Sequence, residues 1–144
     1  MPIRGNSKQN QKRTLQSFYI ELTQDHKNVV DVSIGKNMLA FIDMVDRTFE
    51  KTQIWGLTSL YHLVLQKEDR WDSDWYIKVI SVEDDQYHFE YLLPVHKRPW
   101  PNATVTVEVK SLEGAKKYLL IAMKECEGWT GNAELEKLLR DNNL

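Results

Sequence analysis

A chain of 144 residues is short enough for one domain and long enough to bury a core without disulfide bonds or a structural metal. Its 42% hydrophobic and 28% charged residues are typical of a soluble globular protein, and no apolar run approaches the roughly 18 residues that a membrane helix requires. The first 13 residues carry four basic and no acidic side chains, so the remainder has a net charge of −6 within a total of −2. An acidic body argues against a duplex-binding surface on the folded domain.

The N-terminal segment differs in composition from the rest of the chain. Residues 1–13 hold Gly, Ser, Asn and Gln besides the basic residues and lack the apolar stretch of a secretory signal. We expect residues 1–13 to be a disordered basic tail and residues 14–144 to be a single α+β domain. An anionic partner such as nucleic acid is expected to contact at most this tail. A single cysteine, Cys126, excludes an internal disulfide and a multi-cysteine zinc site, so we expect a cytoplasmic protein.

The first predicted elements are two strands and a helix. Aromatic and branched residues at 14–22 favour a strand, with a short helix as the alternative, and the β-branched residues of 28–34 predict a second strand. Gly35 then breaks this pattern. Over residues 36–51 apolar side chains recur at helical spacing and predict one buried helix face, formed by Met38, Phe41, Ile42, Val45 and Phe49.

The middle of the chain is rich in predicted strands. Apolar and polar residues alternate along 56–66, and aromatic and β-branched residues dominate 75–82 and 87–94. The acidic stretch 83–86 has the length of a hairpin loop. Strict alternation of valine with threonine and glutamate predicts a further strand at 103–110.

Two helices are predicted at the end of the chain. Ser111 is a favourable N-cap, and Glu113 lies in the first turn of a helix that ends near Gly128. A shorter helix follows at 132–141, which gives the order β-β-α-β-β-β-β-α-α. Because consecutive strands with short connections pair antiparallel, we expect an α+β fold: an antiparallel sheet of about four to six strands with helices packed on one face.

Hairpin register brings two loops to the same end of this sheet. If residues 83–86 close a regular hairpin, Ile80 lies opposite Phe89. The loops that precede and follow this hairpin, 67–74 and 95–102, then both leave the sheet at the end away from its turn. Charges of opposite sign are available in the two loops, so we expect them to face each other.

Both loops also carry tryptophan. Trp and Arg are over-represented among the residues that dominate binding energies, and loops held by a rigid sheet are usual positions for binding groups. We therefore predict a binding surface formed by Trp71, Asp72, Asp74, Trp75, His96, Lys97, Arg98 and Trp100. The alternative is a hydrophobic plug with a charged rim, in which the tryptophans cover the end of the sheet.

No motif in the sequence indicates catalysis, a cofactor or a metal ion. His96 and Asp74 could form an acid-base pair, but no nucleophile accompanies them. Residues 72–74 hold two carboxylates without the further oxygen ligands of a calcium loop. Cys126 lies on the apolar stripe of a predicted helix and is expected to be a core residue. We accordingly assign no catalytic residue, no metal ligand and no cofactor.

These observations favour a small cytoplasmic protein-interaction module without catalytic activity. Bacterial inhibitor and toxin-immunity proteins are one class of this size and composition. The alternative is a small-molecule-binding protein or enzyme with a pocket between sheet and helices, using His96, Asp74 and Tyr91. The partner is expected to be another protein rather than a membrane, and a homodimer could form through 103–110 or 28–34 at a sheet edge.

Overall fold

A computed structural model describes residues 3–10, 13–24, 28–73, 76–81 and 86–144. Within these ranges the strands are β1 (Ile3–Gly5), β2 (Ile54–Ser59), β3 (His62–Gln66), β4 (Ile77–Ser81), β5 (Tyr87–Leu92) and β6 (Thr104–Val109). The helices are α1 (Ser7–Asn10), α2 (Leu15–Thr23), α3 (Val29–Thr48), α4 (Leu112–Glu125) and α5 (Ala133–Asp141), with a 3-10 turn at Val95–Lys97.

The strands of the described ranges form one sheet in chain order, from β1 to β6. Neighbouring strands are antiparallel except β1 and β2, which are parallel. The parallel pair is possible because three helices separate β1 from β2, whereas the other strands are joined by short connections. The predicted α+β class is confirmed, and the sheet is mostly antiparallel with one parallel pair.

The structure corrects the two strands predicted near the start of the chain. Residues 14–22 and 28–34 fall in helices, α2 and α3. The side chains of Thr14 and Asn28 each accept a hydrogen bond from the backbone N–H three residues further on, and so cap these helices. A sheet edge at 28–34 is therefore excluded, and of the two edges proposed for pairing only 103–110 is a strand.

Gly35 lies inside α3 rather than at the boundary that the sequence suggested. An added Cβ at this position would come within 2.6 Å of the carbonyl oxygen of Tyr19 in α2. Glycine thus permits the close approach of α2 and α3, and this packing outweighs the β propensity of the preceding valines. Although α3 has 20 residues, none of the helices in the described ranges is both long and apolar enough to cross a membrane.

The N-terminal segment also differs from the expected disordered tail at residues 3–10. Ile3 is buried in the core, and its N–H donates to Oδ1 of Asp46 at 3.0 Å. The Asn6 side chain donates to Oε1 of Gln66 at 2.8 Å, and both residues are buried. Apolar Ile3 and these polar contacts attach the segment to the sheet, which basic composition alone did not reveal.

Two details of the strands differ from the prediction. Residues 56–66 form the hairpin β2–β3, with a two-residue turn that begins at Leu60, rather than one strand. In the β4–β5 hairpin Phe89 lies opposite Val79 instead of Ile80. Opposite residues of an antiparallel pair share a face, so the observed register places the buried residues together. The predicted turn residues 83–85 lie outside the described ranges.

One face of the sheet, here called the covered face, packs against the helices. The ring of Phe41 in α3 lies 5.9 Å, centroid to centroid, from the rings of both Tyr87 and Phe89. The covered face is apolar from strand to strand, with buried side chains at Ile54, Leu63, Leu65, Ile77, Val79, Tyr87, Phe89 and Tyr91. Helices packed on one face of the sheet were predicted, and this arrangement is confirmed.

The opposite face, here called the outer face, carries the alternate residues of the same strands. Lys78 Nζ lies 3.2 Å from Glu90 Oε1, and His88 Nε2 lies 3.6 Å from Glu108 Oε2, each pair joining neighbouring strands. These side chains are between about one-third and one-half exposed. Polar pairs at this exposure are typical of a sheet face that meets water.

Candidate functional site

The two loops of the predicted surface leave the sheet at the same end. One follows β3 and the other follows β5, and these two strands run in the same direction because each is antiparallel to β4. The name loop end is used here for residues 67–73 and 93–103. With neighbouring strands about 4.8 Å apart and β4 between them, the strand ends from which the two loops leave are separated by roughly 10 Å. Asp74 and Trp75 of the predicted surface lie outside the described residues.

The loop that follows β3 is attached to the N-terminal segment. Ser7 donates from its N–H and its hydroxyl to the carboxylate of Asp69, each at 2.6 Å. The ammonium of Lys8 lies 4.5 Å from the centroid of a Trp71 ring. The buried Gln66 side chain donates to the carbonyl oxygen of Trp71 at 3.2 Å. These contacts fix the backbone of the loop while the Trp71 side chain stays largely in water.

Charges within this loop are also satisfied locally. Arg70 lies between two acidic neighbours, 3.4 Å from Glu68 Oε2 and 3.3 Å from Asp72 Oδ1. All three side chains are more than half exposed, so the ion pairs contribute only about 0–1 kcal/mol each. These ion pairs hold Asp72 within its own loop. The prediction had instead placed Asp72 opposite the basic residues of the second loop.

The loop that follows β5 is attached to the turn after α4. His96 Nε2 lies 3.3 Å and Lys97 Nζ lies 3.1 Å from Glu127 Oε2. Arg98 instead donates from Nε to the carbonyl oxygen of Leu93 at 2.6 Å, which closes its own loop. Within the described residues no ion pair joins the two loops to each other, because each is attached to a different neighbouring segment.

Trp71 and Trp100 are the most conspicuous side chains of the loop end. Their residues are 62% and 66% exposed, respectively. A hydrophobic plug would require both indoles to be buried against the end of the sheet, so these exposures disfavour that alternative. By contrast, Trp129, in the turn after α4, is buried in the core.

The residues of the alternative pocket occupy a packed region. Tyr91 belongs to the covered face and is only 6% exposed. Burial, together with the negative charges that Glu125 and Cys126 can carry nearby, raises its pKa to about 12. Burial likewise raises the pKa of Cys126 to about 11, which is the behaviour of an unreactive core thiol. Among the described residues, His96 contacts Glu127 and not Tyr91.

A shallow depression of about 210 Å³ lies on the outer face. It is lined by His62, Lys78, Ile80, His88, Phe89, Glu90 and Thr106. This volume is below the roughly 300 Å³ of typical small-molecule sites, and Lys78 in its lining already pairs with Glu90, as His88 does with Glu108. The sequence did not predict this depression, because the predicted β4–β5 register was shifted by one residue and placed outer-face residues opposite covered-face residues. The signal that could have corrected it is the placement of charged residues at alternate positions of neighbouring strands, at Lys78, His88, Glu90 and Glu108.

Known proteins give no guide to these surfaces. Comparisons with protein-family models, with curated proteins and with solved structures find no match to this chain. The feature that the fold itself explains least is the pair of exposed tryptophans on two braced loops.

Proposed function

We propose that this chain is a small protein-interaction module without catalytic activity, and that its partner binds the loop end. The observation that carries the proposal is the exposure of Trp71 and Trp100. Neither indole contributes a buried surface to the core, and tryptophan is among the residues most often found at the energetic centre of interfaces.

Preorganisation of the loops supports this function. Gln66 holds the Trp71 carbonyl, and Trp100 stands between Pro99 and Pro101, next to the loop-closing bond of Arg98. Interfaces gain affinity when the contacting side chains are already positioned, because less conformational entropy is lost on binding. The contacts to Ser7 and Glu127 thus act as supports that leave both tryptophan residues largely exposed, with Lys8 over one ring of Trp71.

The narrower form of the proposal is a cytoplasmic inhibitor of the bacterial toxin-immunity type. Its support is the chain's small size, its acidic body and the absence of a catalytic motif in its sequence. Such a protein acts by occupying a surface of its target, which requires no cofactor and no metal ion. The tryptophans would supply affinity, and the mixed charges around them would set orientation.

The test compares the double variant Trp71→Ala/Trp100→Ala with the wild-type protein. Partners captured from lysate are identified and purified, and their affinity is then measured with purified proteins by calorimetry. Removal of both indoles should weaken binding by at least about 100-fold, since each hot-spot truncation costs about 1.4 kcal/mol or more. Inhibition of an enzymatic partner by the wild type, lost in the variant, would support the inhibitor form.

The matched control removes exposed apolar side chains outside the loop end, one in the β2–β3 turn and one at the start of α3. Leu60 and Val29 are also highly exposed, and the variant Leu60→Ala/Val29→Ala should bind the partner as well as the wild type. Unchanged affinity of the tryptophan variant, with its unfolding transition intact, would overturn the proposal. Equal weakening by both double variants would mean that exposed apolar residues act nonspecifically, which also contradicts a loop-end site.

A further inference from the structure

The two edges of the sheet are constructed differently. The β1 edge is only three residues long, and beyond it the Gln9 side chain covers β2. Gln9 Oε1 accepts hydrogen bonds from the Thr58 N–H at 2.9 Å and from the Thr58 hydroxyl at 2.7 Å. A short edge strand and a side-chain cap are devices by which native sheets prevent pairing with another strand. This edge is therefore closed.

The β6 edge has neither of these two devices, and its one charged residue, Glu108, pairs with His88 of β5. Its six residues, Thr104–Val109, include neither lysine nor proline, and they pair with β5 without a bulge. Five of the six are threonine or valine, the residues that favour extended pairing. The helix that follows, α4, packs on the covered face and does not extend the sheet beyond β6.

Hydrogen-bond geometry shows which backbone groups of β6 face away from the sheet. The Leu93 N–H donates to the carbonyl oxygen of Ala103 at 3.1 Å, and the register continues from this pair into β6. Because hydrogen-bonded and non-hydrogen-bonded pairs alternate in an antiparallel ladder, Thr104, Thr106 and Glu108 direct their N–H and C=O groups away from β5. In the described part of the chain these outward groups bond to no other backbone group.

We propose that the β6 edge pairs with β6 of a second copy of this chain, antiparallel and about a two-fold axis at Thr106. Thr106 then faces Thr106 of the other copy, and Thr104 of each copy faces Glu108 of the other. About six backbone hydrogen bonds form, two for each of the three pairs. Both six-stranded sheets join into one, with the helices of both copies on the same face.

Side-chain complementarity is what favours a second copy as the occupant. In this register no like charges face each other, a threonine pair lies on the axis, and Val105 faces Val107 across the covered side. A shift of the axis to Glu108 would place two carboxylates directly opposite and is disfavoured. The sequence around Thr106 is thus compatible with its own antiparallel copy, as closed two-fold assemblies require.

The dimer is expected to be weak. Strand pairing alone buries less than the roughly 1,200 Å² of a standard stable interface, so dissociation in the micromolar range is expected. The association is independent of the loop end, which lies at the ends of the strands rather than along this edge. The Trp71→Ala/Trp100→Ala protein should consequently dimerise as the wild type does.

Sedimentation equilibrium between about 5 μM and 1 mM, with three proteins, tests the proposal. Wild type should shift from monomer to dimer across this range. Thr106→Pro removes one outward N–H, which β5 does not use, and should remain monomeric. Thr106→Val retains the N–H and should dimerise with an affinity within about threefold of wild type.

Amide hydrogen exchange of the wild type supplies a readout that does not depend on any variant. At high concentration the amides of Thr104, Thr106 and Glu108 should become protected, while those of Val105, Val107 and Val109 are protected at all concentrations. A monomer up to 1 mM would overturn the inference, and so would a dimer that Thr106→Pro leaves intact or that forms without the alternating protection. If Thr106→Pro fails to fold, the exchange pattern decides.

Discussion

The two faces of the sheet are made from alternating residues of the same strands, yet they differ in what they contribute. On β5, Phe89 is 1% exposed and contacts Phe41, whereas its neighbour His88 on the outer face is about half exposed and contacts Glu108. Apolar burial contributes most of the free energy of folding, while exposed ion pairs contribute little. Stability is therefore concentrated on the covered face.

This division leaves the remaining surfaces free to vary with little effect on folding. The outer face, the β6 edge and the loop end all have polar or exposed side chains whose removal opens no cavity. Binding surfaces are commonly positioned in this way, on parts of a rigid framework that the core does not require. Substitutions at adjacent positions on the two faces should therefore differ strongly in their effect on the free energy of unfolding.

The largest effect is expected for Phe89→Ala. Removal of this buried ring leaves a cavity beside Phe41 and should lower the free energy of unfolding by about 3–5 kcal/mol. His88→Ala, the control one residue away, should lower it by less than about 1 kcal/mol. Urea denaturation of both variants measures the difference. Similar losses for the two would show that the outer face is also covered in solution, and the division of the faces would then be wrong.

A smaller loss of stability is expected from removing a charged hydrogen-bond acceptor among the helices of the covered face. The Glu134 carboxylate of α5 accepts hydrogen bonds from the backbone N–H groups of residues 50–52 and from the Thr52 hydroxyl, between 2.6 and 3.2 Å. Burial raises the pKa of Glu134, but these hydrogen bonds lower it by more, so it lies below its usual value. The carboxylate thus joins α5 to the connection between α3 and β2.

Glu134→Gln should reduce the free energy of unfolding by about 1–2 kcal/mol at pH 7. Since the pKa is lower in the folded state, the stabilisation is present above the unfolded pKa of about 4.3 and is lost as the pH falls through the folded value. The difference between wild type and variant should therefore shrink below about pH 4. Glu136→Gln, in the same helical turn but exposed, is the control and should change little. A difference independent of pH would refute the role of the charge.

Local patterns predicted the second half of the chain better than the first. Valines alternating with polar residues identified β6, and Ser111 identified the start of α4, because alternation and capping are visible in a few neighbouring residues. The valines that begin α3 favour a strand by local propensity, but the close approach at Gly35 to Tyr19 favours the helix. That contact joins residues from two elements and is not visible locally.

The candidate site was predictable in position but not in detail. Strand directions alone place the two loops at one end, and the residue types suggested a surface. The partners of His96 and Lys97 could not be predicted, because Glu127 comes near them only through the packing of α4 on the sheet. Exposure of Trp71 was equally invisible in the sequence, since tryptophan is compatible with core and surface alike, as the buried Trp129 shows.

The smallest predicted effect is a gain in stability, at the turn of the β2–β3 hairpin. Leu60 has a φ of 56° and is 84% exposed, so it adopts a left-handed conformation without the compensation of burial. Asparagine tolerates this conformation, and Leu60→Asn should raise the free energy of unfolding by about 0.5–1 kcal/mol. Leu60→Ala removes the same apolar side chain without relieving the backbone and should change stability by less than about 0.5 kcal/mol.

A gain for asparagine alone, measured by urea denaturation, would show that residues away from the covered face affect stability through backbone conformation rather than through burial. Equal stabilities of the two variants would mean that the left-handed conformation carries no cost here, whereas a loss in both would indicate that Leu60 buries its side chain in solution.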